Sequence, residues 1–212
     1  MVAHCGQGLS RGEARGRQPP DHRQAPAADA ENRYKHMAIC PYPSRLANEW
    51  TLKDGERCMI RPIRPEDAEA LQNFVRELSA QSKYFRFFGA VDELPRNQLA
   101  RFTQIDYGRD MALIATDWCD GTARIVGKAN YALQHDGRSC EFAVVIADDM
   151  AGKGVGSRLM RCLMDAARQQ GIAEIHGEVM ADNEPMLALM EALDFIANPS
   201  EDEAVLRVWR KL

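Results

Sequence analysis

Residues 140–171 read CEFAVVIADDMAGKGVGSRLMRCLMDAARQQG: an alternating apolar run, the glycine-spaced hexapeptide AGKGVG at 151–156, and an amphipathic segment closed by Gly171. Val155, Leu159, Cys162, Leu163 and Ala166 recur at spacings of three and four, which predicts a helix. A strand that feeds a tight turn with a helix starting at once leaves backbone N–H groups unpaired at the positive end of the helix dipole. Such a place holds phosphate or pyrophosphate. Gly152, Gly154 and Gly156 would admit positive φ and leave no Cβ between the backbone and bound oxygens. The competing reading is a plain strand-to-helix turn with glycines kept for packing. The loop is not GxxxxGK[ST], and its third glycine comes one residue early for GxGxxG, although Glu178 stands where a ribose-binding acid could follow.

The surroundings of the loop predict the rest of an α/β domain. From about Ser44 the pattern becomes regular: ERCMIRPIR alternates as a strand, and Pro65, Glu66 and Asp67 open an acidic first helical turn into AEALQNFVREL. SAQSKYFRFFG and LPRNQLARFTQ read as two further helices. DMALIATDW, ARIVGKANYALQ and SCEFAVVIAD then form an antiparallel meander, with turn chemistry at CDGT and HDGR. After the glycine loop and its helix come a strand (IAEIHGEVM), a helix (NEPMLALMEAL) with Pro185 in its first turn, and a final strand (AVLRVWRKL). The expected architecture is a central mixed sheet with an antiparallel N-terminal meander, flanked by helices. A Rossmann unit does not usually follow a long meander, and only one βαβ is available to carry it.

Composition bounds the function classes. The 212 residues, 45% hydrophobic and 27% charged with a formal charge of −4, suit one globular core. They do not suit a chain that lives on nucleic acid or an anionic membrane. The first 36 residues are rich in Gly, Pro, Arg, Gln and Ala and are expected to be disordered, giving a leader over 1–43 and a folded domain over 44–212. They lack the apolar region of a secretory signal. Cys5, Cys40, Cys58, Cys119, Cys140 and Cys162 form no CxxC pair, and the five histidines form no HExxH, so a metal site is not expected. Reduced, buried thiols in a cytoplasmic protein are the expectation.

Two sequences carry a family resemblance. AGKGVGSRLM resembles the acetyl-CoA loop of the GNAT acetyltransferases, Q/R-x-x-G-x-G/A, and ADNEPMLALMEALDF resembles their N-x-x-M-x-x-L-x-x-x-L-G-F helix. The element order is also the GNAT order. Within that family IRPIRPEDAEALQNFVRELSAQSKYFRFFG and CEFAVVI are similar to the acetyltransferase domain of Pat-type protein lysine acetyltransferases. There are departures: Ala151 replaces Gln or Arg, Asp194 replaces Gly, and no tyrosine follows Asn183 as a general acid. The resemblance implies acetyl-CoA as cosubstrate and a protein lysine as acceptor, an acyl-CoA synthetase being one candidate acceptor. A small-molecule N-acetyltransferase and a non-catalytic acetyl-CoA sensor are the alternatives.

The chemistry defines the residues to look for. A lysine amine is neutral only about one part in a thousand near pH 7.4, a deficit of roughly 4 kcal/mol. A general base contributes about 10² to 10⁴ in rate. The resemblance assigns that base to Glu141 at the start of the strand before the loop; an exposed strand end is its structural alternative. Alternation sets Glu141, Ala143 and Val145 on one face. Backbone N–H groups of Val145 and Ile146 are expected to hold the pantetheine arm and polarise the thioester. The loop residues Gly152, Lys153, Gly154, Val155, Gly156 and Ser157 are expected around the phosphates, with Arg158 adding charge. Asn183 has two possible roles, cofactor contact or helix N-cap. Asp148 and Asp149 read as a solvated turn. In the YFRFF segment Tyr84, Phe87 and Phe88 share a helical face and read as core, with Lys83 and Arg86 projecting outward beside the acceptor cleft.

Overall fold

The computed structural model describes residues 40–52, 55–119 and 122–212. The leader up to residue 39, and Asp120 and Gly121 of the CDGT turn, lie outside the described residues. The strands are β1 (Asn48–Thr51), β2 (Arg57–Pro62), β3 (Asp110–Cys119), β4 (Thr122–Leu133), β5 (Ser139–Ile146), β6 (Glu174–Met180), β7 (Ile196–Pro199) and β8 (Val205–Lys211). They form one sheet in the order β1-β2-β3-β4-β5-β6-β8-β7. Neighbours are antiparallel except β5 and β6, which are parallel. This is the mixed sheet with a meander that the sequence pattern predicts.

Among the described residues five α-helices accompany it: α1 (Ala68–Glu77), α2 (Ala80–Phe87), α3 (Arg96–Thr103), α4 (Val155–Gln169) and α5 (Glu184–Ala192). Helix α4 buries Val155, Leu159, Met160, Leu163, Met164, Ala166 and Ala167. These join Leu113, Val126, Phe142 and Met190 of α5 in the larger core. A second core on the opposite sheet face gathers Leu71, Phe74 and Val75 of α1 with Ala112, Ile114, Ile125 and Val145. The apolar burial of each large side chain contributes about 1.5–3 kcal/mol, so two separate stripes pin helices to both faces.

Strands β1 and β7 were not expected. Each is four residues long at a sheet edge, and β7 is exposed throughout. With no buried face they carry no alternation for a pattern to register. Asp194, where the family pattern has glycine, adopts φ 55°. Aspartate tolerates that left-handed conformation better than most residues, and Arg210 donates to its carboxylate at 3.2 Å.

The YFRFF segment departs from its expected orientation. Tyr84 and Phe88 are 44% and 42% exposed, whereas Phe87 packs against the second core. Arg86 turns inward: its guanidinium carbon lies 5.2 Å from the centre of the Phe87 ring and 5.8 Å from that of Phe102. The helix ends at Phe87, and Phe88 at φ 55° is left-handed, so it leaves the helical face. Anchorage of the N-terminus of α2, described below, sets the other side of the helix against β5.

Candidate functional site

A cleft of about 740 Å³ runs between α2, the end of β5, the glycine loop and α5. That volume suits a small-molecule site. Val145, Ile146, Gly152, Gly154, Val155, Gly156, Ser157 and Asn183 all line it.

The three glycines serve different purposes. Gly152 and Gly154 have φ 75° and 89°, conformations that L side chains rarely adopt. Gly156 instead lies inside α4, where a Cβ would come within 3.1 Å of Leu189 on α5. The positive φ expected at all three therefore holds at two, and the third lets α4 and α5 approach closely. The first intrahelical bond of α4 is donated by the Arg158 N–H to the Gly154 carbonyl. The N–H groups of Val155, Gly156 and Ser157 precede it and belong to the unpaired set that favours an anion. The Lys153 ammonium lies 3.7 Å from Glu56, and Lys153 is not among the residues that line the cleft. Asn183 caps α5, its side-chain oxygen accepting from the Met186 N–H at 3.2 Å, while also lining the cleft.

The slot beside the loop comes from strand splay. β5 and β6 pair over three rungs only, Ser139 with Glu174, Cys140 with Ile175 and Glu141 with His176. Just beyond, the Phe142 ring lies so close to Gly177 that a Cβ there would approach it to 2.8 Å. On its other edge β5 stays paired with β4. The Gln134 N–H donates to Ser139 at one end of that ladder and the Ala147 N–H to Val126 at the other. With Lys128 opposite Val145, alternation directs the Val145 N–H into the ladder. The expected role of the Val145 N–H is corrected accordingly: Val144 and Ile146 present their N–H groups to the slot.

Asp148 is exposed in a turn, as expected, but it also anchors a helix. Its carboxylate accepts from the Ser79 N–H at 2.8 Å, from Ser79 Oγ at 2.9 Å and from Ser82 Oγ at 2.6 Å. Burial works against the charged form, but the Ser82 and Ser79 hydrogen bonds hold its pKa below the ordinary carboxylate value. A carboxylate at a helix N-terminus is also favoured by the dipole. The clamp fixes α2 over β5 and brings Gln81, Ser82, Phe85 and Arg86 to the cleft. Asp149 pairs with Arg124 at 2.6 Å.

Glu141 is exposed on the last rung of the β5–β6 ladder. Its strand parity places it on the face of Val145, Lys128 and Asn130, away from α4. Arg86 lies within Coulombic range of Glu141; burial lowers the Arg86 pKa to about 10, against the opposing pull of that carboxylate. Sequence reasoning missed the group behind it. Lys128 is 4% exposed, donates to Asn130 Oδ1 at 2.7 Å and sits 4.7 Å from the Phe102 ring centre. Arg86 donates to the same oxygen at 3.5 Å. A lysine at a buried parity within IVGKANYAL was the available signal.

Burial, then the neighbouring Arg86 charge, push the Lys128 pKa well below its ordinary value. Between that lowered value and the ordinary lysine value the unfolded chain binds a proton that the folded chain does not. Stability from this residue therefore rises with pH, by up to about 1.4 kcal/mol per unit. Lys128→Met should remove that rise, without lowering stability near neutral pH. Urea unfolding of both proteins from pH 7 to 10 checks it, and equal slopes would mean that Lys128 stays charged when folded.

Residues 57–196 match the family profile of the acetyltransferase (GNAT) domain. The chain is 37% identical over 160 residues to an acetyltransferase of Pseudomonas aeruginosa, covering 76% of this chain and 86% of that protein. It is 29% identical over 156 residues to acetyltransferase Pat of Mycolicibacterium smegmatis, covering 73% of this chain but only 44% of Pat. The crystal structure of the GNAT domain of S. lividans PAT matches with a TM-score of 0.75 at 28% identity, covering 81% of this chain and 100% of that one. A profile match spanning both the glycine loop and the splayed strands settles the family: the chain belongs to the GNAT acetyltransferases and is an acetyl-CoA-dependent N-acetyltransferase.

Proposed function

We propose that the chain acetylates protein lysines by direct attack in a ternary complex, with Glu141 as general base. The observation that carries this reading is the position of Glu141. It stands exposed where β5 and β6 part, on the sheet face opposite α4, so an acceptor amine can reach the slot from the side away from the glycine loop. Acetyl-CoA supplies the activated acyl group. In this reading the N–H groups of Val155, Gly156 and Ser157, with the turn at Gly152 and Gly154, hold its pyrophosphate. The Val144 and Ile146 N–H groups take the pantetheine and thioester carbonyls. Glu141 removes one proton from the acceptor ammonium, offsetting the ionisation deficit. A thiolate leaving group with a pKa near ~8.5 departs without a dedicated acid, consistent with the absence of tyrosine from α5.

The similarity to acetyltransferase Pat and to the GNAT domain of S. lividans PAT supports a protein acceptor, an acyl-CoA synthetase among the candidates. The reading also places the chain in the cytoplasm, where free thiols such as those of buried Cys58 and Cys140 stay reduced. Incubation with radiolabelled acetyl-CoA and a cell lysate, beside a panel of polyamines and amino acids, tests the acceptor. Labelled protein lysines are the expected result. Faster labelling of the free amines would make the chain a small-molecule N-acetyltransferase, and no transfer to either would leave a sensor.

A further inference from the structure

Among the described residues that line the cleft, Arg86 alone carries a positive charge. It reaches the cleft from the last turn of α2, the helix that the Asp148 clamp fixes over β5. The guanidinium rests against the Phe87 and Phe102 rings. Aromatic faces attract a cation without neutralising it. Burial lowers the Arg86 pKa to about 10, which still leaves the group charged near neutral pH.

No anion matches that charge. Among the described residues no carboxylate makes an ion pair with Arg86, and Glu141 acts on it only through its field. The hydrogen bond of Arg86, long at 3.5 Å, goes to the uncharged Asn130 Oδ1, an atom that also accepts from Lys128. A guanidinium carries five N–H donors in a fork shaped for a carboxylate. Arg86 is half-buried, and none of its nitrogens is a sealed atom without a partner. Its remaining donors are therefore accessible, and the space they open into is the cleft.

We propose that Arg86 is a carboxylate-binding residue that gives the enzyme a second class of donor, acyl-CoA thioesters ending in a carboxylate, such as succinyl-CoA. An acetyl group offers the guanidinium no anion; a dicarboxylic acyl group does. The cleft that Arg86 lines also carries Ile146 and the glycine loop, whereas Glu141, on the acceptor side, does not line it. The free donors thus face the thioester, not the amine. Forked N–H contacts to an ionised carboxylate are about twice as strong as neutral hydrogen bonds. In the transfer the amine nitrogen bonds to the acyl carbon, the C–S bond breaks and its electron pair leaves on sulfur. Of the ammonium's three protons one passes to the base, one ends on the thiol and one stays on the amide nitrogen. The distal carboxylate keeps its charge and its contact with Arg86 throughout. A lysine modified in this way changes from a positive to a negative side chain, where acetylation only neutralises it.

The test pairs succinyl-CoA with butyryl-CoA, whose acyl group has the same carbon count and ends in a methyl instead of a carboxylate. Thermal stabilisation by each thioester, which needs no acceptor, is measured for wild type, Arg86→Gln and Arg86→Lys. kcat/KM with an Nα-blocked lysine amide follows, after subtraction of the uncatalysed rate. Wild type should bind and use succinyl-CoA about tenfold or more better than butyryl-CoA. Arg86→Gln should bring that ratio close to unity, and Arg86→Lys should keep part of it. Stabilisation by free CoA, which has no acyl end, reports whether the cleft of each variant is formed. Equal use of the two thioesters by wild type overturns the proposal without any variant, and so does a preference that survives Arg86→Gln. The other source of a carboxylate is the acceptor, so a lysine peptide flanked by glutamate is compared with its glutamine counterpart, using acetyl-CoA. An Arg86-dependent preference for the glutamate peptide, with none for succinyl-CoA, moves the contact to the acceptor and overturns the donor assignment. Absence of transfer to lysine beside an intact binding preference removes the lysine acceptor and leaves the Arg86 site standing.

Discussion

Glu141→Gln is expected to bind CoA as the wild type does while losing about 10² or more in turnover near neutral pH. The substitution keeps the size of the side chain and removes its capacity to take a proton. Because Glu141 is exposed on β5 and is not among the residues that line the cleft, the sheet and the CoA site should be left intact. Activity should recover in part as the pH rises toward the lysine range, where more acceptor is already neutral and the base has less to supply. The measurement is kcat against pH for both proteins, with thermal stabilisation by CoA as the control. Unchanged turnover would move the base elsewhere; lost CoA stabilisation would make Glu141 a structural residue.

Gly154→Asp should abolish the rise in melting temperature that CoA produces. Linkage makes that rise a direct reading of affinity, about 2.7 kcal/mol at a ligand concentration one hundred times Kd. A Cβ on Gly154 would meet nothing within 4 Å, so space is not the obstacle; its φ of 89° is strained for a side chain, and a carboxylate there would face the pyrophosphate oxygens. Gly154→Asn separates the two effects, since asparagine and aspartate tolerate left-handed backbone alike and only aspartate adds charge. The asparagine variant should keep a substantial CoA shift. NADH, which offers a pyrophosphate but no pantetheine arm for the slot at Val144 and Ile146, should produce little shift in the wild type. Equal stabilisation by NADH would mean that the slot contributes nothing, and an unimpaired Gly154→Asp would place the phosphates away from the loop.

The amino-acid sequence by itself determined the mixed sheet, the meander, the amphipathic helix after AGKGVG and the stretch of chain that carries the cleft. All of these rest on period and local turn chemistry: alternation in CEFAVVI, the three- and four-residue spacing of Val155, Leu159 and Leu163, and glycines where φ is positive. Such features are encoded between residues a few positions apart, so a linear reading captures them. Tertiary structure decided which groups meet. The Asp148 clamp joins residues 66 and 69 positions apart, Arg86 and Lys128 converge on Asn130 from a helix and a strand, and His176 comes beside Glu141 only because β5 and β6 pair in parallel. Even the choice of N–H groups facing the slot depended on the register of β5 against β4, where a shift of one residue exchanges Val145 for its neighbours. Register and helix docking are set by the packing of the whole sheet between its two cores, and no local pattern in a single strand or helix contains that information.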